Sequence, residues 1–176
     1  MKLKFKRFNE AAVIPKKAYE KDFCFDLVAV SEEQIAPNVW RYGFGFGLQI
    51  SRGFSKPEAG AILLLDTESN EKRMYSFSMC KNSKLNPANF SVDIRPRSSI
   101  WKTGMVLSNS VGTVDEGYTN EISAVFYHVF PDMPRYKVGD RVAQMKIGFT
   151  LPCEFVEVEE FEETDRNLNG YGSTGL

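Results

Sequence analysis

The sequence contains few residues that commonly bind structural metals or form disulfide frameworks. Its 176 residues include one histidine and three cysteines, which lie far apart at Cys24, Cys80 and Cys153. No Cys-x-x-Cys pair is present, so the sequence excludes the zinc-deaminase pattern and ordinary structural zinc sites. Because an odd and scattered set of cysteines is typical of reduced thiols, the composition predicts a cytoplasmic protein without disulfides.

The sequence also lacks an excess of charge and a long apolar run. The 22 basic and 23 acidic residues nearly balance, so there is no basic field of the kind that holds long nucleic acid. The start, MKLKFKRFNEAAVIPKK, has no signal-peptide-like run, and no later stretch is long enough to span a membrane as a helix. We therefore expect neither long nucleic acid nor a membrane as partner. A nucleotide needs only a few local cations and is not excluded.

Long helical periodicity is missing as well, and short apolar or alternating runs lie between turn residues instead. A short helix within 56–90 stays open, since KPEAGAILLL suits either structure. The pattern favours an all-β chain in one domain, either a barrel or a jelly-roll-like sandwich. The runs predict strands at Lys2–Phe8, Phe25–Val30, Phe46–Ile50, Ala61–Asp66, Phe90–Ile94, Glu121–Phe130, Arg141–Phe149 and Glu154–Phe161.

Two local motifs have structural interpretations. GFGFG, from Gly43 to Gly47, lacks the G-x-G-x-x-G spacing and a following helix. It therefore predicts a turn that leads into a strand, rather than a phosphate loop. His128 lies inside the apolar run VFYHVF and is expected in the core or at an interface.

The last segment, RNLNGYGSTGL, is small and polar. A loose terminus is the simplest interpretation. The Gly-Ser-Thr-Gly run, however, offers backbone N–H groups and hydroxyls that suit phosphate oxygens. Arg166 adds a charged fork, and Tyr171 adds a flat face for a base. Taken alone, the segment favours the loose terminus.

Four further stretches change that interpretation. Each has an ordinary explanation, as a strand end, an exposed turn, a hairpin tip or an edge strand. The stretches are FDLVA with Asp26, RPRSSIWKTG with Arg97, Ser98 and Ser99, NSVGTVDEGYTNEI with Asp115 and Tyr118, and GDRVAQ with Arg141 and Gln144. Together with the tail, and in this order, they resemble the five motifs of the trimeric deoxyuridine triphosphatase (dUTPase) family, from about Asp22 to the last residue.

The resemblance implies a fold and an assembly. It implies a jelly-roll-like β-barrel subunit over residues 1–165 and a flexible C-terminal lid over residues 166–176. It further implies a homotrimer with C-terminal arm exchange, whose active sites lie at subunit contacts. The tail of one subunit would close over a neighbour's site and order on the nucleotide.

The resemblance also implies hydrolysis of dUTP to dUMP and pyrophosphate, which limits uracil in DNA and supplies dUMP for dTMP synthesis. Water would attack the α-phosphorus, with Asp115 as the catalytic carboxylate. Mg²⁺ would be held chiefly by the triphosphate, with Asp26 supporting its water shell. The matching substrate positions are Arg97, Ser98, Ser99 and Gln144 for phosphates, Asn109, Thr113 and Val114 in a 109–115 hairpin for uracil, Tyr118 for deoxyribose, Tyr171 for the base, and Arg166, Gly172, Ser173 and Thr174 for the outer phosphates.

Several positions depart from the family pattern. Ser99 and Asn120 stand where glycine is common, and an asparagine can preserve a backbone with positive φ. The stretch 52–91 is longer than in typical members and is interpreted as a family-atypical insertion. It is either an elaborated surface hairpin or a contact for an unknown partner.

Two alternative functions stay open on the sequence. A dCTP deaminase, alone or combined with dUTPase activity, shares the fold and an RSS segment. The sugar-facing tyrosine and the YGSTG tail favour the hydrolase over it. The other alternative is a non-catalytic, nucleotide-responsive binding protein on the same fold. Asp115 and Tyr118 favour an active enzyme.

Overall fold

The structure, a computed structural model, describes residues 2–51, 60–65, 72–77, 89–150 and 155–163. These residues are mainly strands and their connections, with one short 3₁₀ turn at Ser98–Lys102. None of the helical segments in these ranges is long and apolar enough to cross a membrane. In chain order the strands are β1 Lys2–Arg7, β2 Cys24–Val28, β3 Ser31–Ala36, β4 Val39–Gly43, β5 Phe46–Ser51, β6 Gly60–Leu65, β7 Lys72–Phe77, β8 Asn89–Pro96, β9 Met105–Leu107, β10 Gly112–Val114, β11 Ser123–His128 and β12 Arg141–Thr150.

Two four-stranded antiparallel sheets organise the described part of the chain. The first has the strand order β10–β8–β12–β2, and the second has the order β3–β4–β11–β9. Two further antiparallel pairs are β1 with β5 and β6 with β7. Because most neighbours in these sheets are distant in sequence, the sheets bring together residues from widely separated motifs.

Both large sheets contribute to one hydrophobic core. Leu27, Ile94 and Val142 come from the first sheet, and Tyr42 and Phe126 come from the second; none is more than 2% exposed. Burying such a side chain contributes about 1.5–3 kcal/mol relative to leaving it exposed. Since a one-residue slip would move these side chains to the other face, the core fixes the register of the polar residues between them.

The connection from β11 to β12 is held against the second sheet by Arg135. Its guanidinium stacks 3.6 Å above the Trp40 ring and donates to a Glu32 carboxylate oxygen at 3.0 Å. This hydrogen bond lowers the pKa of Glu32 below its ordinary value. Beside it, the Tyr42 hydroxyl donates to the Tyr136 carbonyl at 2.8 Å, which satisfies a polar group in the core.

Seven of the eight predicted strands are confirmed within the described residues, with shifts of a few residues at their ends. The eighth, Glu154–Phe161, is wrong, because its described part, within 155–163, contains no strand. Alternating acidic and apolar residues suit a strand only where a neighbour supplies backbone partners. Five of the described strands were not predicted. Among them, β3 is a polar edge strand, while β9 and β10 have three residues each.

The remaining local predictions have clear outcomes. GFGFG is a turn into a strand, as predicted: β4 ends at Gly43, Gly45 has a φ of +70°, and β5 begins at Phe46. The described parts of 56–90 are strands, and the other residues of that range lie outside the description. His128 ends β11 half-buried, with its Nε2 atom 3.0 Å from the Met133 carbonyl oxygen, which suits a structural role.

Candidate active site

The first sheet brings the residues of three motifs into one polar group. Asp26 of β2 is the register partner of Gln144 of β12, and Gln144 lies opposite Arg95 of β8. Arg97 follows directly after β8, and Arg141 begins β12. We call Asp26, Arg97 and Arg141 the arginine cluster.

Asp26 lies between the two guanidinium groups of this cluster. Arg97 Nε donates to one of its carboxylate oxygens at 3.1 Å, and Arg141 Nη1 donates to the other at 2.9 Å. The Asp26 side chain is 17% exposed, whereas that of Arg141 is 54% exposed. One carboxylate therefore orients two cations, and the cluster carries a net positive charge towards solvent. This arrangement suits phosphate oxygens, which arginine recognises by paired hydrogen bonds.

Further hydrogen bonds fix the surroundings of Arg97. Its Nη1 atom donates to the Arg141 carbonyl at 3.2 Å and to Ser99 Oγ at 3.5 Å. The Gln144 amide donates to the Pro96 carbonyl at 2.9 Å, directly before Arg97. Ser98, the first residue of the 3₁₀ turn, is exposed, and Ser99 is half-buried. Sequence prediction placed Arg97, Ser98, Ser99 and Gln144 in one phosphate site, and the fold brings them to one end of β8.

The 109–115 segment differs from its prediction as a hairpin. β9 pairs with β11 in the second sheet, whereas β10 pairs with β8 in the first, so the segment crosses between sheets. A tight turn makes the crossing: Ser110 has a φ of 58°, and the Val111 N–H donates to the Asn109 carbonyl at 2.5 Å. The Asn109 side chain is exposed, with Nδ2 3.0 Å from the position of a Cβ on Gly112. Sequence spacing alone could not distinguish a hairpin from a sheet crossing.

Asp115 and Tyr118 lie in the loop after β10. The Tyr118 N–H donates to the Asp115 carbonyl at 3.0 Å, and the Tyr118 hydroxyl donates to the Glu121 carbonyl at 2.8 Å. Both side chains are exposed, and Tyr118 retains 45% of its surface. The ring is thus held at its far end, and the carboxylate is open to solvent. We call residues 115–121 the Asp115 loop.

The other predicted residues of this segment lie close to the Asp115 loop. Thr113 pairs with Asp93 in register, with Thr113 Oγ1 3.5 Å from Asp93 Oδ1. Val114, half-buried, packs against the core. Asn120 does not have the expected positive φ. Its side-chain oxygen instead accepts the Glu121 N–H at 2.8 Å. Asn120 therefore stabilises the loop through its side chain and does not adopt the backbone conformation typical of glycine.

The fold keeps the arginine cluster and the Asp115 loop apart within one chain. Val114 pairs with Val92 in β8, and the strands are antiparallel, so the next residue, Asp115, lies close to Ser91 near the start of β8. Arg97 follows the opposite end of β8. Ser91 and Arg97 are six residues apart in sequence. At about 3.3 Å per residue, the separation along the strand is about 20 Å. Asp115 and Arg97 of the same chain therefore lie at opposite ends of β8.

The residues present do not form a direct metal site in the described ranges. No three histidine, cysteine, aspartate or glutamate side chains there gather closely enough to hold an ion. Both Asp26 oxygens already accept from arginines, so the carboxylate does not fit a direct Mg²⁺ ligand. Its predicted support of a metal's water shell stays a prediction. Arg166, Tyr171, Gly172, Ser173 and Thr174 lie outside the described residues.

Sequence reasoning missed two contributions to this geometry. Arg141 was noted within GDRVAQ without a role, although it binds one oxygen of Asp26. Glu121 was noted only as the first residue of a predicted strand, although its carboxylate accepts the Gly45 N–H at 2.7 Å. The alternate glycines of GFGFG were an available signal, because such spacing on a strand leaves room for another chain segment.

The guanidinium groups, the solvent-accessible carboxylate and the fixed aromatic ring suit one class of protein, an all-β enzyme that acts on a phosphate-containing substrate. Comparison with known proteins identifies the family. A family model described as dUTPase matches residues 68–175. The deoxyuridine 5'-triphosphate nucleotidohydrolase of Clostridium novyi (strain NT) is 33% identical over 177 residues, covering 100% of both chains. The chain therefore belongs to the dUTPase family.

Solved structures agree with this assignment at the level of the fold. A mutant dUTPase of Staphylococcus bacteriophage 80alpha, with dUpNHpp, has a TM-score of 0.68 at 17% identity and covers 99% of each chain. A mutant dUTPase of S. aureus phage phi11, described with a structural Mg(II) ion, has a TM-score of 0.60 at 16% identity. It covers 93% of this chain and 100% of that chain. The predictions of the family and of the jelly-roll-like fold are confirmed, whereas arm exchange stays a prediction.

Proposed function

We propose that the protein hydrolyses dUTP to dUMP and pyrophosphate by attack of water on the α-phosphorus. The observation that carries this proposal is the Asp115 loop, which presents a carboxylate and a fixed tyrosine ring together. Asp115 would accept a proton from the attacking water, a role that requires an accessible carboxylate. In the cell, this reaction would limit uracil in DNA and supply dUMP for dTMP synthesis.

The arginine cluster and the neighbouring polar groups would bind the triphosphate. Arg97 is oriented by Asp26 and Ser99, so little side-chain freedom remains to be lost on binding. Ser98 and Gln144 lie beside it and would add hydroxyl and amide contacts. Positive charge fixed near the phosphates stabilises the negative charge of the transition state.

The Asp115 loop and the β9–β10 crossing would bind the nucleoside. Main-chain groups of 109–115, with Asn109, Thr113 and Val114, would contact uracil. The Tyr118 ring would lie against the deoxyribose, where a 2′-hydroxyl would clash. Because the Tyr118 hydroxyl is bound to the Glu121 carbonyl, the ring cannot move aside freely, and this supports selection of deoxyribonucleotides.

We infer a homotrimer in which different subunits complete each active site. The separation of about 20 Å along β8 between the level of Asp115 and Arg97 supports this assembly. The segment 155–163 supports it too, since Phe155 is 96% exposed and Phe161 is 92% exposed in the single chain. Aromatic side chains so exposed favour contact with another copy. The tail, with Arg166, Tyr171, Gly172, Ser173 and Thr174, would then reach a neighbour's nucleotide.

Mg²⁺ would enter as a complex with the triphosphate, because the described side chains do not form a direct site for it. When bound there, the ion would neutralise phosphate charge. The protein's own residues would orient the phosphates, exclude water and accept the proton. The dependence on Mg²⁺ and the cytoplasmic location are both predictions.

The direct test is incubation of the purified protein with Mg²⁺ and, separately, dUTP, dCTP, dTTP and UTP. We expect dUMP and pyrophosphate from dUTP, with much slower turnover of the other three. Release of ammonia from dCTP without cleavage of dUTP would instead support the deaminase. Binding of dUTP without turnover would support the nucleotide-responsive binding protein.

A further inference from the structure

The Glu121 carboxylate fastens the Asp115 loop to the turn between β4 and β5. Its Oε1 atom accepts the Gly45 N–H at 2.7 Å, while its main-chain carbonyl accepts the Tyr118 hydroxyl. The next residue, Ile122, is 1% exposed and donates its N–H to the Phe46 carbonyl at 2.8 Å. One residue therefore connects the predicted sugar-contacting ring to a rigid part of the core.

The glycines of this turn create the space that Glu121 and the loop occupy. A Cβ on Gly43 would lie 2.6 Å from Glu121 Oε1 and 2.4 Å from Ser31 Oγ. A Cβ on Gly47 would lie 2.6 Å from the Thr119 carbonyl oxygen. Such distances are shorter than van der Waals contact, so only glycine permits this close approach. The Glu121 carboxylate occupies the space beside Gly43, where β4 has no side chain.

We propose that Glu121 is a positioning residue for dUTP hydrolysis, which sets the Tyr118 ring and thereby the preference for deoxyribose over ribose. The inference rests on the proposed function. It follows from the chain of contacts Gly45–Glu121–Tyr118, in which the carboxylate, together with the Ile122 N–H bond to Phe46, fixes where the Glu121 carbonyl lies. Because that carbonyl is the acceptor for the Tyr118 hydroxyl, displacement of the carboxylate moves the ring.

The main test compares Glu121→Ala with Glu121→Gln. The alanine variant leaves the Gly45 N–H without its acceptor, whereas glutamine keeps an oxygen of the same reach. We measure kcat/KM for dUTP and for UTP in each variant and take their ratio as the readout. We expect Glu121→Ala to lower the ratio about ten- to a hundredfold, as small displacements of positioned groups do. Glu121→Gln should restore most of it.

A second variant disturbs the same contact from the other side. Gly43→Ala should displace the Glu121 carboxylate and lower the dUTP/UTP ratio in a similar way. In the double variant, Gly43→Ala should lower the dUTP/UTP ratio little further than Glu121→Ala does, because the contact with the carboxylate is already lost. Its remaining clash with Ser31 Oγ should lower stability and leave the ratio unchanged. Glu33→Ala is the matched control, since Glu33 pairs with Arg41 on the exposed face of β3 and β4. It should leave the ratio unchanged.

The outcomes separate this inference from the proposed function. If the wild-type protein does not hydrolyse dUTP, the proposed function fails. If wild type is active and both Glu121→Ala and Gly43→Ala lower dUTP and UTP turnover by the same factor, Glu121 only supports folding, and the positioning role is overturned. An unchanged ratio in Glu121→Ala, or a loss in Glu121→Gln as large as that in Glu121→Ala, would overturn it as well.

Discussion

At the scale of single residues, Asp115 combines an open side chain with a fixed main chain. Its carbonyl accepts the Tyr118 N–H at 3.0 Å, so the backbone of the loop does not depend on the carboxylate. A change of the side chain alone should therefore leave the loop in place. This separation makes Asp115 suitable for a clean test of its chemical role.

Asp115→Asn should retain nucleotide binding and lose most turnover. The amide keeps the shape of the carboxylate but cannot accept the proton of the attacking water. Positioned general bases contribute about a hundred- to ten-thousand-fold to rate, so kcat should fall within that range. Calorimetry with a non-hydrolysable dUTP analogue measures binding, and steady-state assays measure kcat. A near-normal kcat would identify another residue as the base.

At the scale of elements, Glu32 and Arg135 connect β3 to the segment that precedes β12. The ion pair joins atoms 3.0 Å apart, and the two side chains are 23% and 17% exposed, respectively. The Arg135 hydrogen bond lowers the pKa of Glu32 in the folded state. A lowered folded-state pKa means that ionised Glu32 stabilises the native structure. That contribution is present above the unfolded-state pKa and is lost as the pH falls through the folded-state pKa.

Glu32→Gln should therefore lower the free energy of unfolding by about 1–2 kcal/mol at neutral pH. The difference from wild type should begin to shrink below the ordinary Glu32 pKa of 4.5 and disappear once the pH has fallen through the lowered folded-state pKa, where the wild-type carboxyl is protonated. Urea unfolding at equal protein concentration measures both effects. Glu33→Gln is the control, since its pair with Arg41 is exposed and should contribute little. A difference that persists unchanged in acid would exclude charge as its cause.

At the scale of the whole molecule, the two ends of β8 carry different parts of the predicted site. Arg97 of the arginine cluster lies beyond Pro96, whereas the Asp115 loop lies towards Ser91. A subunit that carries both parts about 20 Å apart along a strand is suited to share sites with copies of itself. Assembly and activity should consequently depend on each other.

We expect a homotrimer in solution, and light scattering of an active sample measures its mass. Mixing Asp115→Asn subunits with Arg97→Ala subunits tests the shared sites directly. Each variant alone should be nearly inactive, whereas mixed trimers should regain activity because some sites combine an intact Asp115 with an intact Arg97. A monomer mass in a fully active sample would contradict the assembly.

Removal of residues 167–176 should leave a folded trimer that hydrolyses dUTP far more slowly. By composition, this segment has few large apolar side chains, so its loss should cost little stability. Activity should fall because the segment carries Tyr171 and the hydroxyls predicted to bind the base and the outer phosphates. Tyr171→Ala should reproduce part of the loss and Tyr171→Phe little of it, since stacking uses the ring. Full activity of the truncated protein would show that the tail is dispensable.

The sequence alone determined the strand-rich character of the chain and most of the motif residues. Alternation along a strand and turn chemistry are local properties, so β2, β8 and β12 are recognisable from their own residues. The motif order identified Asp115, Tyr118 and Arg97 because residue type and spacing carry that resemblance. The same local patterns misassigned Glu154–Phe161, where alternation is present but the described part, within 155–163, contains no strand.

Only the tertiary structure decided how these parts combine. It shows that Asp26 pairs with two arginines and that the 109–115 segment crosses between sheets instead of forming the predicted hairpin. It also shows that the Asn120 side chain accepts the Glu121 N–H. It also placed Glu121 over the glycine turn. Each of these facts depends on pairing between residues that are distant in sequence. Such pairing is set by strand register and by the shared core, and neither can be determined from the spacing of a single motif.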